Sequence, residues 1–295
     1  DNQSPVKKAA QDRFQLSDML CTTKGQVNVS MPGALSIMQE NVNQLDEWAS
    51  KREAFLSKGK KTVQAKMLDL LGLKGLPDHK IRIEATGHDS MREYEQYKFQ
   101  LIREGEMPVP CILIMPSRAN ADSPIELRLQ EEGKGTYLSE YANFAAALTE
   151  GKILLLADLR GFGETTDPAF YTDAKYWNRE YRNAMVSMHI GRPIMGQRVV
   201  DILTLLDFCS EHELLKGHPV KVFANGIYGP VAIHAAYLDE RINSVEIKHS
   251  VKTWKEYIEK PMQWDMYSNV LYGALKYYDL PDLIRLSNCP ICFAD

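Results

Sequence analysis

The chain has 295 residues, of which 44% are apolar and 25% charged, and its formal net charge is −4. That length fits one large α/β domain or two small ones, and the composition is ordinary for a globular protein. The acidic balance offers nucleic acid no electrostatic footprint, and no apolar run approaches the roughly 20 residues that span a bilayer as a helix.

Residues 1–37 are polar and irregular, with turn signals at Lys24-Gly25 and Met31-Pro32-Gly33, and read as a lead-in or linker. From Gln39 to Leu71, apolar residues recur at helical spacing: Val42, Leu45, Ala49, Leu56, Val63, Met67, Leu70 and Leu71. Lys58-Gly59-Lys60 should break this stretch into two helices, giving an N-terminal helical region over 38–78. The basic residues between Lys51 and Lys66 fall at helical spacing and read as a solvated face rather than a binding patch.

Tyr94–Arg103 alternates apolar and charged residues, and Val109–Met115 is a short apolar run; the pair predicts a hairpin at the edge of a sheet. Strands and helices then alternate. Strands are expected at Ile125–Leu129, Lys152–Ala157, Val220–Phe223, Val245–Ile247 and Pro290–Phe293. Helices are expected at Leu138–Thr149, Ile194–Cys209, Pro230–Leu238 and Asp265–Tyr277. This rhythm predicts a mostly parallel sheet with helices on both faces over residues 79–295.

Five scattered cysteines do not form a disulfide framework. Cys289-Pro-Ile-Cys292 reads first as core cysteines; its spacing also suits a redox pair or, less well, a metal site. No cofactor is called for, and no metal.

The most informative stretch is Val220-Lys-Val-Phe-Ala-Asn-Gly-Ile-Tyr-Gly-Pro-Val-Ala-Ile-His234, a strand, a sharp turn and a helix. One reading is an ordinary βα turn, with Gly226 and Gly229 allowing close helix packing. The other is a nucleophile elbow, G-x-S-x-G, whose three fixed slots here hold Ala224, Gly226 and Tyr228. A glycine takes the strained positive φ of an elbow almost without cost, but it carries no atom that could attack a substrate.

Around this turn the sequence resembles acetyl-xylan-esterase-like α/β-hydrolases. Asp158-Leu-Arg-Gly-Phe-Gly-Glu-Thr165 resembles the D-x-R-G-x-G-x-S segment, and Gly191-Arg-Pro-Ile-Met-Gly-Gln-Arg-Val-Val-Asp201 the helix before the nucleophile strand. Leu238-Asp-Glu-Arg-Ile242 and Tyr278-Asp-Leu-Pro-Asp-Leu283 resemble segments after it. The likeness covers residues 80–295 and implies an α/β-hydrolase fold with an N-terminal helical extension. It implies a carboxylic-ester hydrolase by descent, acting on acetylated polysaccharide, and a periplasmic or extracellular setting.

Carried over position by position, the catalytic serine maps onto Gly226 and is absent. The oxyanion N–H groups map onto Ile227 and onto the turn Gln130-Glu131-Glu132-Gly133, with Glu132 the second backbone candidate. Acidic residues replace the usual His-Gly there and would oppose a developing oxyanion. Asp295 is the nearest match for the acid, and no histidine follows it. His234 reads as a residue packed against the elbow. His249 follows a strand at the top of the sheet, and His189 falls in an inserted loop. His79, His88, His212 and His218 read as loop or helix-end residues. The aromatic-rich insertion at Asp167–Asn183 reads as a cap. Its Tyr171, Trp177 and Tyr181 are weak candidates for stacking on sugar rings.

The expected function is therefore a degenerate, non-catalytic hydrolase domain serving structure or carbohydrate contact; the alternative is an active serine esterase with its nucleophile elsewhere. The chain opens on Asp1-Asn2-Gln3, and Cys21–Val27 resembles a domain junction. It is expected to be part of a longer protein, following a related hydrolase domain that retains its triad.

Overall fold

A computed structural model describes residues 15–168, 180–260 and 266–294. The chain divides into two compact units, Asp1–Asp46 and Glu47–Asp295. In the first, a 3-10 turn at Leu16–Met19 precedes the short helix α1, Val27–Ser30. Helix α2, Ile37–Leu56, contributes residues to both units.

In the second unit, α3 spans Lys60–Leu70, after the expected break at Gly59. An eight-stranded sheet follows, made of β1 (Arg82–Ser90), β2 (Tyr94–Ile102), β3 (Val109–Pro116), β4 (Ile125–Leu129), β5 (Ile153–Ala157), β6 (Val220–Asn225), β7 (Ile242–Lys248) and β8 (Ile291–Phe293). Their order is β1-β2-β3-β5-β4-β6-β7-β8. The first three strands pair antiparallel, and β3 pairs antiparallel with β5. From β5 through β4, β6 and β7 to β8 every pairing is parallel. All five strands expected in the parallel sheet are in it.

Side-chain alternation shows why both faces must be covered. On β5, Ile153, Leu155 and Ala157 enter the main core, while Leu154 and Leu156 face a second cluster with Ile114, Phe144, Ala147 and Leu148. A strand apolar on both faces is stable only between two helical layers. The second cluster is covered by α5, Ala142–Thr149. The main core is packed by α7 (Ile194–Glu211) and α8 (Tyr228–Leu238).

Several expectations are corrected. The β2–β3 hairpin is not the sheet edge, because β1 lies outside it. β1 is polar and largely exposed and carries an irregularity between Ala85 and Gly87, so it lacks an apolar signature. It also holds His88, which is a strand residue stacked on Tyr97 and paired with Glu95, not a loop residue. The helix expected over Leu138–Thr149 is two, α4 (Lys134–Ser139) and α5, separated where Glu140 is extended. His189 does not sit in a loop; it ends helix α6, Tyr181–His189. No single helix covers 265–277. Its described part is two 3-10 turns, Met266–Asn269 and Ala274–Lys276, with Gly273 at φ +74° between them. Helices α9 (Lys255–Glu259) and α10 (Leu280–Leu286) complete the unit. Of the C-x-x-C pair, Cys292 is exposed and Cys289 half-buried, so Cys292 is not a core residue.

Candidate functional site

The elbow forms as the strand–turn–helix pattern dictates. Val220, Val222 and Ala224 point into the core from β6, and α8 begins at Tyr228. Between them Gly226 stands at φ +58°, the left-handed region open to glycine. Its N–H donates to the Lys248 carbonyl at 2.9 Å, which ties the turn to the end of β7. Three residues on, a Cβ at Gly229 would overlap Ser250, so this glycine lets the helix start pack directly on the segment after β7.

Glu131 occupies the site. It comes from the turn after β4, and its Oε1 accepts the backbone N–H of Ile227. That N–H is the oxyanion donor expected from the sequence. The same Oε1 lies where a Cβ on Gly226 would fall. One carboxylate therefore takes both the space that a side chain at position 226 would need and the backbone N–H of the next residue. Glu132, the neighbouring backbone candidate, is exposed, and its carbonyl accepts from the Thr136 hydroxyl at 3.0 Å.

The D-x-R-G-x-G segment explains how the Glu131 turn is held. Asp158 is buried at the end of β5, and its Oδ1 accepts the Lys134 N–H at 2.7 Å. Its Oδ2 pairs with Lys134 Nζ at 2.5 Å and accepts the Glu164 N–H at 3.0 Å. Gly163, at φ +54°, lets the backbone wrap this carboxylate, because a Cβ there would overlap it. Arg160 Nη2 pairs with Asp201 of α7 at 2.5 Å, and its Nη1 pairs with Glu106 at 3.0 Å. Burial, partly offset by Arg160, raises the Asp201 carboxyl above the usual range. Arg198 is fully buried, pairs with Glu180 and lies over the rings of Phe162 and Tyr228. The motif's charged residues thus form a buried framework beneath the elbow.

Tyr228, in the last slot of the elbow pattern, is buried with its hydroxyl unpartnered. Burial pushes its phenol well above the ordinary value; Arg198 opposes this, and the carboxylates of Glu180, Asp158 and Glu131 add to it.

His249 is, among the described residues, the non-glycine residue with positive φ, at +50°. It follows β7 beside the elbow, and its Nδ1 donates to Asn225 Oδ1 at 3.1 Å. Asn225 Nδ2 in turn donates to Gln130 Oε1 at 3.3 Å, so an amide–amide–imidazole row crosses the C-terminal ends of β4, β6 and β7. His234 is fully buried in α8. Its Nδ1 donates to the Pro230 carbonyl at 2.7 Å, its Nε2 accepts from the Tyr278 hydroxyl at 3.2 Å, and its ring packs on Trp254. Burial pushes its pKa down to about 4.

Asp295, Tyr171 and Trp177 lie outside the described residues. Tyr181 opens α6 and meets Tyr267 edge to face, with ring centroids 5.4 Å apart. Sequence reasoning flagged the acidic turn but not that the Glu131 side chain would reach the Ile227 N–H, 96 positions along the chain. Among the described residues no group of three His, Cys, Asp or Glu side chains is placed to hold a metal ion, and no helix is long and apolar enough to cross a membrane.

No protein-family model matches the sequence, and no curated protein matches it. Solved structures do. A Bacteroides fragilis protein assigned as an acetyl xylan esterase superposes with a TM-score of 0.70 at 14% identity, over 89% of this chain and 75% of that one. Acetyl xylan esterase 1 from Thermoanaerobacterium sp. gives 0.52 at 15% identity, over 79% and 77%. A glucuronoyl esterase from Solibacter usitatus gives 0.54 at 11% identity, over 82% and 75%. Sheet order, elbow and these neighbours agree: the chain has the α/β-hydrolase fold, in the form seen in acetyl xylan and glucuronoyl esterases.

Proposed function

We propose that this chain is a non-catalytic domain on a carbohydrate-esterase scaffold, serving structure or carbohydrate contact within an esterase-like protein. The observation that carries the reading is the Glu131 carboxylate seated on the Ile227 N–H above Gly226. Acyl transfer through an elbow needs a nucleophilic atom at that position and a free N–H for the oxyanion. Here the first is missing and the second is occupied by a group that would repel the developing charge. The likeness to acetyl xylan and glucuronoyl esterases supports carbohydrate as the class of ligand. A catalytic hydrolase domain is the partner we propose for such a copy.

The test is hydrolysis of an activated acetyl ester by the chain, measured against a Glu131→Ala variant. Both should stay at the uncatalysed background. Turnover by the unaltered chain would overturn the reading in favour of an active esterase with another nucleophile.

A further inference from the structure

Away from the elbow, a groove of about 570 Å3 opens between the end of α3 and the second half of α6. Its described lining is mostly apolar and includes Leu70, Met185, Met188 and Tyr272. Asp69 and His189 add a carboxylate and an imidazole. No lysine or arginine is among these residues. Nearby Lys66 is engaged with Asp69 at 2.8 Å, and Arg192 with Glu106 at 3.2 Å.

The groove is preformed. Gly72, at φ +71°, lies so close to the Gly191 carbonyl that a Cβ would overlap it, which fixes the end of α3 against the chain after α6. Tyr272 is 87% exposed, an aromatic face offered to solvent at the groove's edge. An apolar cleft of this size with a few convergent polar groups is the usual form of a small-ligand site.

We propose that this groove binds a neutral pyranose unit of a carbohydrate chain. A sugar ring has an apolar C–H face and a hydroxyl rim. The face suits the Tyr272 ring and the methionine thioethers, which adapt to irregular shapes. The rim suits Asp69 and His189, which can each exchange hydrogen bonds with hydroxyls. Charge sets the preference among sugars: no lysine or arginine is among the described lining residues, so an acidic uronate finds no cationic partner there and a neutral ring needs none. This rests on the carbohydrate-contact reading above but moves the contact. The sequence pointed to the aromatic insertion, whereas the groove uses the later half of the helix that follows it.

The test is an NMR titration of methyl-labelled methionines in the whole chain with xylohexaose and, separately, with a hexagalacturonate. The Met185 and Met188 methyl signals should shift saturably with the neutral oligosaccharide and much less with the acidic one. Tyr272→Ala, at an exposed position that leaves the fold intact, should weaken xylohexaose binding about tenfold, the scale of one lost aromatic contact. Methyl signals that do not saturate, or an unchanged affinity in Tyr272→Ala, would overturn the proposal. So would signals that respond only to an apolar dye. These readouts are independent of ester hydrolysis: an active chain that binds xylohexaose here would sink the non-catalytic reading alone. An inert chain that binds xylohexaose with the groove methyls unmoved would sink the groove alone.

Discussion

Glu131 and Ile227 are joined by a hydrogen bond in which the side-chain carboxylate of one accepts the backbone N–H of the other. The bond links the turn after β4 to the start of α8, and it excludes any side chain from position 226. The two substitutions Gly226→Ala and Glu131→Ala should therefore be coupled. Gly226→Ala alone pushes a Cβ into φ +58° and displaces Glu131, and is expected to cost about 2–3 kcal/mol. In the Glu131→Ala background only the backbone strain remains, so the cost should fall by about 1 kcal/mol. Urea unfolding of the four proteins measures this; strict additivity would show that Glu131 is not in that space.

The turn that carries Glu131 depends on Asp158. Asp158→Asn leaves the Lys134 ammonium, only 4% exposed, without its charged partner, and breaking a buried pair in this way costs about 3–5 kcal/mol. Glu164 still reaches Lys134 at 2.5 Å from a more exposed position, which favours the low end. The Ile227 amide should also exchange with solvent faster in this variant. A protein equally stable and equally protected would show that the motif does not brace the turn.

Much of this was legible in the sequence. Ile125–Leu129 is a strand over the expected residues because Ile125, Leu127 and Leu129 alternate with Glu126 and Arg128 between Pro124 and the Gln130 turn. The elbow was legible because Gly226 interrupts a strand pattern and a helix pattern at one residue. β1 was not, since an exposed edge strand carries no apolar alternation, and α6 was hidden behind the aromatic insertion. The role of Glu131 was not legible for a different reason. Its meaning lies in a contact across 96 positions, and nothing local distinguishes it from Glu132.

His249 should report strain at the sheet's C-terminal edge. A β-branched residue tolerates φ +50° worse than glycine by about 1–2 kcal/mol. The expected order of stability is His249→Gly above His249→Val, and thermal unfolding resolves it. The reverse order would mean that this residue is not held in the left-handed region.

His234 predicts a loss of stability in mild acid. Burial lowers its folded pKa to about 4, below an unfolded value of about 6.5. The unfolded state then binds more protons, so the contribution is full above pH ~6.5 and is lost as pH falls toward 4. The shift corresponds to about 3 kcal/mol at most. Unfolding free energies at pH 7 and pH 5 should diverge in the parent and much less in His234→Gln, which can still hydrogen-bond within the core. Equal pH dependence in both would show that His234 does not titrate in this way.

A non-catalytic domain requires an elbow without a nucleophile and an oxyanion N–H that is already taken. A fluorophosphonate probe followed by intact mass and peptide mapping tests this directly. The parent chain should stay unlabelled. Gly226→Ser should also stay unlabelled, because the His234 ring is committed to Pro230 and Tyr278 and cannot take the serine proton. Stoichiometric labelling of a serine in the parent chain would contradict the non-catalytic reading.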